Sequence, residues 1–507
     1  MKRRHGFTLV ELLVAMALII FIMAILSQAF TAALTTFRNL KAEGDMAEKL
    51  RAVTQLLQRD LAADHFEGKK RLSNPNFWQD GPPSQGFFRI WQGSVGTQEN
   101  TATTTDTDLI PSFRSADHML AFTVKHRSND MGSFFTATVP ATFPNSLGSF
   151  GPAESRYQIT TPGLYNYQWA EVAWFLQPSI NPTTLTVDTT PGGIPLFTLS
   201  RRQRLLVPDN NLVQQAAPGS FAYASQAAYL TLAASCSELS CWDNPPSSPP
   251  AQAGGSLYFN NPMDITVPTR RFGMVSSTAY PAGLLYGVPS GLAPSVLWPF
   301  SPNPSPPPPS GTWFPPNTTS PTYSYPLPSP YNPPLIPYYP TLAQQGAGGT
   351  LAGADVQLSD VISFHVRVLP LYPTGTTVPS PDPFITLFDA PISTLFDNQN
   401  PSFYDVKNPT VPNNPAVFDT WTTMYDGLSA NYSASNTTGA WNSTGQMTSI
   451  PMWNSSQLSY TYPVNNGSSQ TVSVTGSGPI IRAIQITIRI WDYKTNQTRQ
   501  VTMVQAM

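Results

Sequence analysis

The sequence predicts an α+β fold in which one long N-terminal helix packs on an antiparallel β-sheet that is enlarged by proline-rich insertions. An apolar run over residues 12–26 opens the chain, and apolar residues at helical spacing follow it. Over residues 484–490, apolar and polar residues alternate without exception, as in a strand with one buried face. The 53 prolines among 507 residues indicate many loops and extended surface segments.

The first element is an apolar helix with a basic flank. Lys2, Arg3 and Arg4 precede the apolar segment, and Glu11 is its only charged residue. A run of about 20 residues is long enough to cross a bilayer, and basic residues before it hold the N-terminus in the cytoplasm. Because an isolated carboxylate is costly in lipid, we expect Glu11 to have a partner.

The residues around Glu11 form a specific motif, Gly6-Phe7-Thr8-Leu9-Val10-Glu11-Leu12. The motif resembles the class III signal of type IV prepilins and type II secretion pseudopilins. The resemblance implies that a prepilin peptidase cuts after Gly6 and methylates the amine of Phe7, and that Glu11 pairs with the N-terminal amine of a neighbouring pilin-like subunit. It also implies one pass through the inner membrane, with the C-terminal part in the periplasm or on an extracellular filament.

Two other interpretations of this segment compete with the prepilin interpretation. One is an uncleaved signal anchor in which Glu11 lies near the membrane interface. The other is a secretory signal cleaved near Ser27-Gln28-Ala29, which would place Glu11 inside the apolar region of the signal. The motif favours the prepilin interpretation over both.

We expect the helix to continue beyond the membrane, to about residue 65, as an amphipathic pilin-type element. Its apolar residues recur mostly at steps of three or four: Phe30, Leu34, Phe37, Leu40, Ala47, Leu50, Val53, Leu57 and Leu61. Gly44 is a predicted weak point or bend, because glycine costs about 1 kcal/mol relative to alanine inside a helix. A coiled coil is the competing interpretation, but the apolar steps do not keep a strict heptad.

The charge content argues against a nucleic-acid partner. Charged residues make up 11% of the chain and the net charge is −2, whereas binding to phosphates needs clustered lysine and arginine. Two short basic clusters occur, at residues 69–71 and 201–204. We expect both clusters to be solvated.

Six strands are predicted for the sheet, at residues 119–126, 171–176, 196–207, 356–369, 480–491 and 497–504. The last two strands are joined by residues 492–496 and should form a C-terminal hairpin. The arrangement resembles the J-type minor pseudopilin of type II secretion and the large minor pilins. The matching segments are residues 57–61, 172–175, 199–202, 361–364 and 481–486, together with Arg51.

The chain is much longer than J-type members, and the excess lies mainly at residues 208–353 and 370–478. The predicted organisation is a leader at 1–6, a transmembrane or filament-core helix at 7–29, its amphipathic continuation at 30–65, a first β part at 66–207, a proline-rich insertion at 208–353 and a second β part at 354–507. Residues 301–340 favour polyproline II, since they include four consecutive prolines and repeated Tyr-Pro pairs. This stretch is either a poorly ordered surface insertion or an arm that docks a partner.

Cys236 and Cys241 are the only cysteines in the chain. Outside the cytoplasm, so close a pair is most simply a local disulfide. Two free thiols are the alternative. A zinc site would need two further ligands, and no histidine lies nearby in sequence to supply them.

No catalytic or cofactor motif is recognisable, so we expect a non-enzymatic protein without a cofactor or metal. His118, His126 and His365 lie in or beside predicted strands, where a core or edge position is the default interpretation. Residues 382, 389 and 397 are aspartates that could serve calcium, but their spacing matches no loop pattern, and a solvated loop is preferred.

The predicted function follows from the N-terminus. The resemblance implies a minor pseudopilin or prepilin-like structural subunit of a type II secretion pseudopilus or a type IV pilus. Such a subunit assembles through its N-terminal helix, and bulky insertions fit the tip of a filament better than a repeating position. The alternative is a pilin-anchored adhesin or substrate-binding module displayed on the cell surface.

Overall fold

The structure is a computed structural model. It describes residues 8–68, 70–77, 83–92, 99–105, 111–115, 118–127, 133–138, 164–179, 188–207, 222–223, 238–244, 255–266, 271, 356–372, 378, 382–387, 416–420, 452–454, 459–463, 469–473 and 480–507. The predicted leader at 1–6 and the predicted arm at 301–340 lie outside the described residues. The boundaries proposed for the parts of the chain stay predictions.

A single uninterrupted helix, α1 (Leu9–Ala62), begins the described chain. At 1.5 Å per residue it is about 80 Å long. Thr8 caps its N-terminus, and the extended backbone of Ala63 ends it. The helix continues without interruption through Gly44, the predicted weak point or bend. The flanking residues Ala42 and Met46 are buried on one face, and this packing offsets the low helix propensity of glycine.

Eighteen strands are found in the described part of the chain. The first nine are β1 (Phe88–Gln92), β2 (Glu99–Thr105), β3 (Pro111–Arg114), β4 (Met119–Lys125), β5 (Phe135–Thr138), β6 (Leu164–Tyr167), β7 (Trp169–Pro178), β8 (Phe197–Leu205) and β9 (Ala222–Tyr223). The other nine are β10 (Cys241–Asn244), β11 (Gly255–Phe259), β12 (Val356–Pro370), β13 (Ala416–Asp419), β14 (Met452–Asn454), β15 (Ser459–Pro463), β16 (Ser469–Ser473), β17 (Ile481–Asp492) and β18 (Gln497–Ala506). A 3-10 helix spans Asp264–Thr266.

Eight of these strands form one antiparallel sheet in the order β13-β1-β4-β7-β8-β12-β17-β18. The six strands predicted from the sequence are β4, β7, β8, β12, β17 and β18, and they are consecutive in the sheet. The strands β1 and β13, which form the other end of the sheet, were not among the predicted strands. Both are short, so they offer too few residues for a pattern of alternation.

The C-terminal hairpin is confirmed. Asp492 and Gln497 face each other as the last pair of β17 and β18. The backbone N–H of Thr495 donates to Oδ2 of Asp492 at 3.0 Å, and Asn496 adopts a φ of 54°. Asn tolerates this left-handed conformation better than most residues, and the turn reverses the chain within four residues.

The core lies between the second half of α1 and one face of the sheet. Met46, Leu50, Val53, Leu57 and Leu61 are at most 5% exposed, and α1 contacts β12, β17 and β18. The alternating isoleucines of β17 belong to the same core. The observed architecture confirms the α+β prediction of one long helix on an antiparallel sheet.

Candidate functional site

Reciprocal hydrogen bonds between Thr8 and Glu11 close the N-terminus of α1. The backbone N–H and the hydroxyl of Thr8 donate to Oε2 of Glu11 at 2.9 and 3.0 Å. The backbone N–H of Glu11 donates to Oγ1 of Thr8 at 3.3 Å. This capping box satisfies two backbone donors that a helix leaves unpaired at its start. Gly6 and Phe7 lie outside the described residues, so cleavage and methylation stay predictions.

The first half of α1 carries a long apolar surface that the described chain does not cover. From Leu9 to Leu40, its large apolar side chains are between 42% and 80% exposed. The predicted amphipathic stripe therefore packs on the sheet only from Ala42 onward, because the helix leaves the sheet at that point. Contiguous apolar surfaces of this size mark contacts with a membrane or with protein.

The helix is also long and apolar enough to cross a membrane. The apolar N-terminal helix, with its basic flank, is that of a single-pass membrane-anchored protein. The second half of α1 packs on the sheet, beyond the apolar segment.

A buried ion pair attaches α1 to the centre of the sheet. Asp60 is 2% exposed. Nε and Nη2 of Arg201 donate to its two carboxylate oxygens at 2.6 and 3.0 Å. The indole N–H of Trp174 donates to Oδ2 at 3.0 Å. The carboxylate thus accepts three hydrogen bonds from two neighbouring strands, which sets how the helix sits on them.

The sequence around Asp60 indicates this contact, although the contact was not predicted. Asp60 follows Leu57 by three residues and therefore shares the apolar face of the helix. An acidic residue on a buried face needs a cation from another element. The segments that resemble J-type pseudopilins include Asp60, Trp174 and Arg201, and the structure brings these three residues together.

The prediction that residues 201–204 are solvated is wrong. Arg201 contacts the helix, and Arg202 and Arg204 are 4% and 0% exposed. Nη2 of Arg204 donates to the carbonyl of Leu239 at 2.6 Å. The reason is that β8 lies inside the sheet, so alternate side chains point to two covered faces. The described part of the other cluster is more exposed: Lys70 is half-buried and Arg71 is exposed.

The end of α1 is joined to the sheet through His65. Its Nδ1 lies 2.7 Å from the carbonyl oxygen of Thr123, and its Nε2 lies 3.2 Å from the carbonyl oxygen of Leu61. Gly86, at a φ of +81°, packs against the same corner, and a Cβ there would lie 2.1 Å from the carbonyl oxygen of His65. Only glycine fits this close approach.

Two buried histidines, His65 and His118, and the half-buried His365 have lowered pKa values, so the stability of the fold should depend on pH. Burial lowers the pKa of His65 despite its two carbonyl partners. Burial, and then the neighbouring His365, holds the pKa of His118 well below 6.5. Burial, and then the charge of Arg367, lowers the pKa of His365 to about 3. The two rings of His118 and His365 lie 5.2 Å apart.

We expect the free energy of unfolding to fall as the pH drops from 7 to 5. The unfolded state binds a proton at each histidine below about pH 6.5, whereas the folded state keeps the rings neutral. Below that pH, each histidine should therefore contribute a slope of up to about 1.4 kcal/mol per pH unit. Urea unfolding of the full chain in detergent, at several pH values, measures the slope.

A single variant checks the origin of this pH dependence. His365→Asn should remove about one proton from the slope between pH 7 and 5. Gln500→Asn is the control, since Gln500 is exposed and does not titrate, and its slope should stay that of the wild type. An unchanged slope in His365→Asn would show that other groups cause the pH dependence.

The remaining predicted sites are only partly described. The backbone of Cys241 pairs with Phe259 at the start of β10, but Cys236 lies outside the described residues and the disulfide stays a prediction. Asp382 binds Nη1 of Arg367 at 2.7 Å, and Asp389 and Asp397 are not described. Within the described ranges, no group of three or more histidine, cysteine or acidic side chains is placed to hold a metal.

Comparisons with known proteins agree with the geometry of the N-terminus. Residues 1–27 match the model of the prokaryotic N-terminal methylation motif. The chain is also similar to "Pilin-like protein PilA3" of Thermus thermophilus, with 32% identity over 84 residues. The match covers 17% of this chain and 32% of the relative, so the chain spans about a third of that protein's length. No solved structure matches the chain.

The long helix with an exposed apolar half, seated on an antiparallel sheet, defines a pilin-type fold. The methylation motif at its start and the similarity to a pilin-like protein support a type IV prepilin-like protein.

Proposed function

We propose that the chain is a minor pseudopilin or prepilin-like subunit of a type II secretion pseudopilus or a type IV pilus. A prepilin peptidase cuts it after Gly6 and methylates Phe7, and the mature chain assembles through α1 at the filament tip. The observation that carries the proposal is the uncovered apolar surface of α1 from Leu9 to Leu40, which begins within the methylation motif at residues 1–27.

The arrangement at Glu11 supports assembly through a charge pair. Both hydrogen bonds that the carboxylate accepts within the described residues fall on Oε2. Oε1 is then available for a cationic partner. The N-terminal amine of a neighbouring subunit would be such a partner, because an ammonium and a carboxylate are each costly alone in an apolar environment and tolerable as a pair.

The size of the chain supports the tip position. A subunit that repeats along a filament must stack on identical copies, and the insertions at 208–353 and 370–478 would have to fit between them. A terminal subunit has one side free of such neighbours. In the proposed tip position, the sheet of eight strands lies at the outer end of the filament.

The cleavage step is tested by the mass of the mature N-terminus. We expect the chain recovered from membranes to begin at methylated Phe7. Gly6→Val should reduce cleavage at least tenfold, because a branched side chain next to the cut bond obstructs the peptidase. Gly44→Val is the matched control: nothing lies within 4 Å of the added Cβ position, so cleavage should be unchanged. A wild-type chain that begins at Met1, or near Ala29, would contradict the proposal.

A further inference from the structure

A cleft of about 680 Å³ opens where α1 meets the sheet. It lies between the residues that follow the helix, the end of β4 and the segment before β7. Its walls include Asp64, Arg71, Lys125, Arg127 and Gln168. This volume is in the range of pockets that hold small molecules, roughly 300–1,000 Å³.

The charges in this cleft are not balanced. Arg127 forms two hydrogen bonds with the carboxylate of Asp64. Arg71 and Lys125 have no hydrogen-bonded carboxylate partner in the part of the chain that the structure describes. Three cations against one carboxylate leave the cleft with an excess of two positive charges.

All three cations act on the carboxylate of Asp64. The pKa of the Asp64 carboxyl is lowered first by the hydrogen bond from Arg127 and further by the charges of Arg127, Arg71 and Lys125. Lys125 is held in place because its Nζ lies 4.9 Å from the centre of the Trp169 ring. The backbone N–H of Lys125 also donates to the carbonyl of Asp64 at 2.8 Å, which ties the two walls together.

His126 adds a neutral wall to the cleft. Burial is the main reason that the pKa of its ring is lowered, and the cations Arg59 and Arg201 lower it further. The centre of its ring lies 4.2 Å from the centre of the Phe135 ring, and the two ring planes are tilted by 38°. The cleft therefore combines two cations that have no hydrogen-bonded carboxylate among the described residues with an uncharged imidazole, and its one carboxylate is already bound to Arg127.

We propose that this cleft binds a small ligand through an oxyanion group, with Arg71 and Lys125 as its cationic contacts. Guanidinium and ammonium groups are the side chains that bind phosphate and carboxylate, by paired hydrogen bonds and by point charge respectively. Asp64 is a positioning residue that holds Arg127 at the rim. The proposal does not depend on cleavage or filament assembly, because the cleft lies at the far end of α1 from Glu11.

The test is a titration of the full chain in detergent micelles with inorganic phosphate or with citrate, at constant ionic strength, followed by calorimetry. We expect binding in the millimolar range that weakens as sodium chloride rises. The double variant Arg71→Gln/Lys125→Gln should weaken binding at least tenfold. Phosphate binding without citrate binding would identify a phosphate ligand, and the reverse would identify a carboxylate ligand.

The control is the double variant Arg482→Gln/Lys494→Gln. Both residues are exposed, and Nζ of Lys494 lies 5.5 Å from the Tyr493 ring, as Lys125 lies over Trp169. Binding by this variant should stay within twofold of the wild type. Absence of binding by both probes, or equal loss in the two double variants, would overturn the proposal. Urea unfolding of each variant shows whether the fold is intact, and a wild-type midpoint makes the comparison valid.

Discussion

Replacing Asp60 by alanine should lower the free energy of unfolding by about 3–5 kcal/mol, the usual cost of removing one partner of a buried ion pair. The change leaves the guanidinium of Arg201 and the indole N–H of Trp174 without their acceptor in a buried place. Neither group can reach water without opening the contact between α1 and the sheet.

Urea unfolding of the full chain in detergent, followed by tryptophan fluorescence, measures this loss. Asp45→Ala is the matched control, since Asp45 is an exposed aspartate of the same helix. It should change stability by no more than about 0.5 kcal/mol. If both variants lose the same small amount, Asp60 does not attach the helix to the sheet.

A second variant separates the ion pair from the packing. In Asp60→Leu/Arg201→Leu, both charges are removed together, so the indole N–H of Trp174 and the half-buried side-chain oxygen of Gln203 each lose a partner but no buried charge is left unpaired. An unsatisfied buried donor costs about 1–3 kcal/mol. The double variant should therefore be more stable than Asp60→Ala. If the double variant is instead less stable than Asp60→Ala, the ion pair itself stabilises the contact between the helix and the sheet.

The helix and six consecutive strands of the sheet were predictable because the sequence patterns that indicate them are local. The apolar run of α1 and the alternation of residues 484–490 each lie within one element. Both patterns are recognisable without knowing which residues pack against the helix or the strand. For the same reason, the methylation motif was recognisable from seven consecutive residues.

The contacts that join distant elements were not predictable. Arg271 donates to both carboxylate oxygens of Asp419, at 2.9 and 2.7 Å, across 148 residues of sequence. This buried pair joins a residue of the predicted insertion to β13, and no local pattern marks either residue. Arg201 was misassigned for a related reason: its charge suggested solvent, and its partner Asp60 lies 141 residues earlier.

Glu11→Val should weaken filament incorporation while cleavage and membrane insertion persist. The substitution removes the only charge of the apolar segment, so the helix should insert as well as the wild type or better. Assembly should fall at least tenfold, because the amine of a neighbouring subunit would lose its partner. The measurements are recovery of the mature chain in membranes and its fraction in sheared filaments or cross-linked complexes.

Thr8→Val separates pairing between subunits from capping of the helix. This variant removes the hydroxyl that donates to Glu11 and accepts from its backbone N–H. It keeps the carboxylate and the backbone N–H of Thr8 that also donates to it. If Glu11 pairs with another subunit, Thr8→Val should assemble within about twofold of the wild type; equal loss in the two variants would show that Glu11 acts as a cap.

The same pair of variants tests the tip position. A terminal subunit has a neighbour on one side only, so its carboxylate and its amine are not both required for contact. A repeating subunit needs both, because each copy pairs with the copy before it and the copy after it. A partial assembly defect in Glu11→Val, with cleavage intact and Thr8→Val normal, is therefore the result expected of a tip subunit, whereas complete loss is expected of a repeating one.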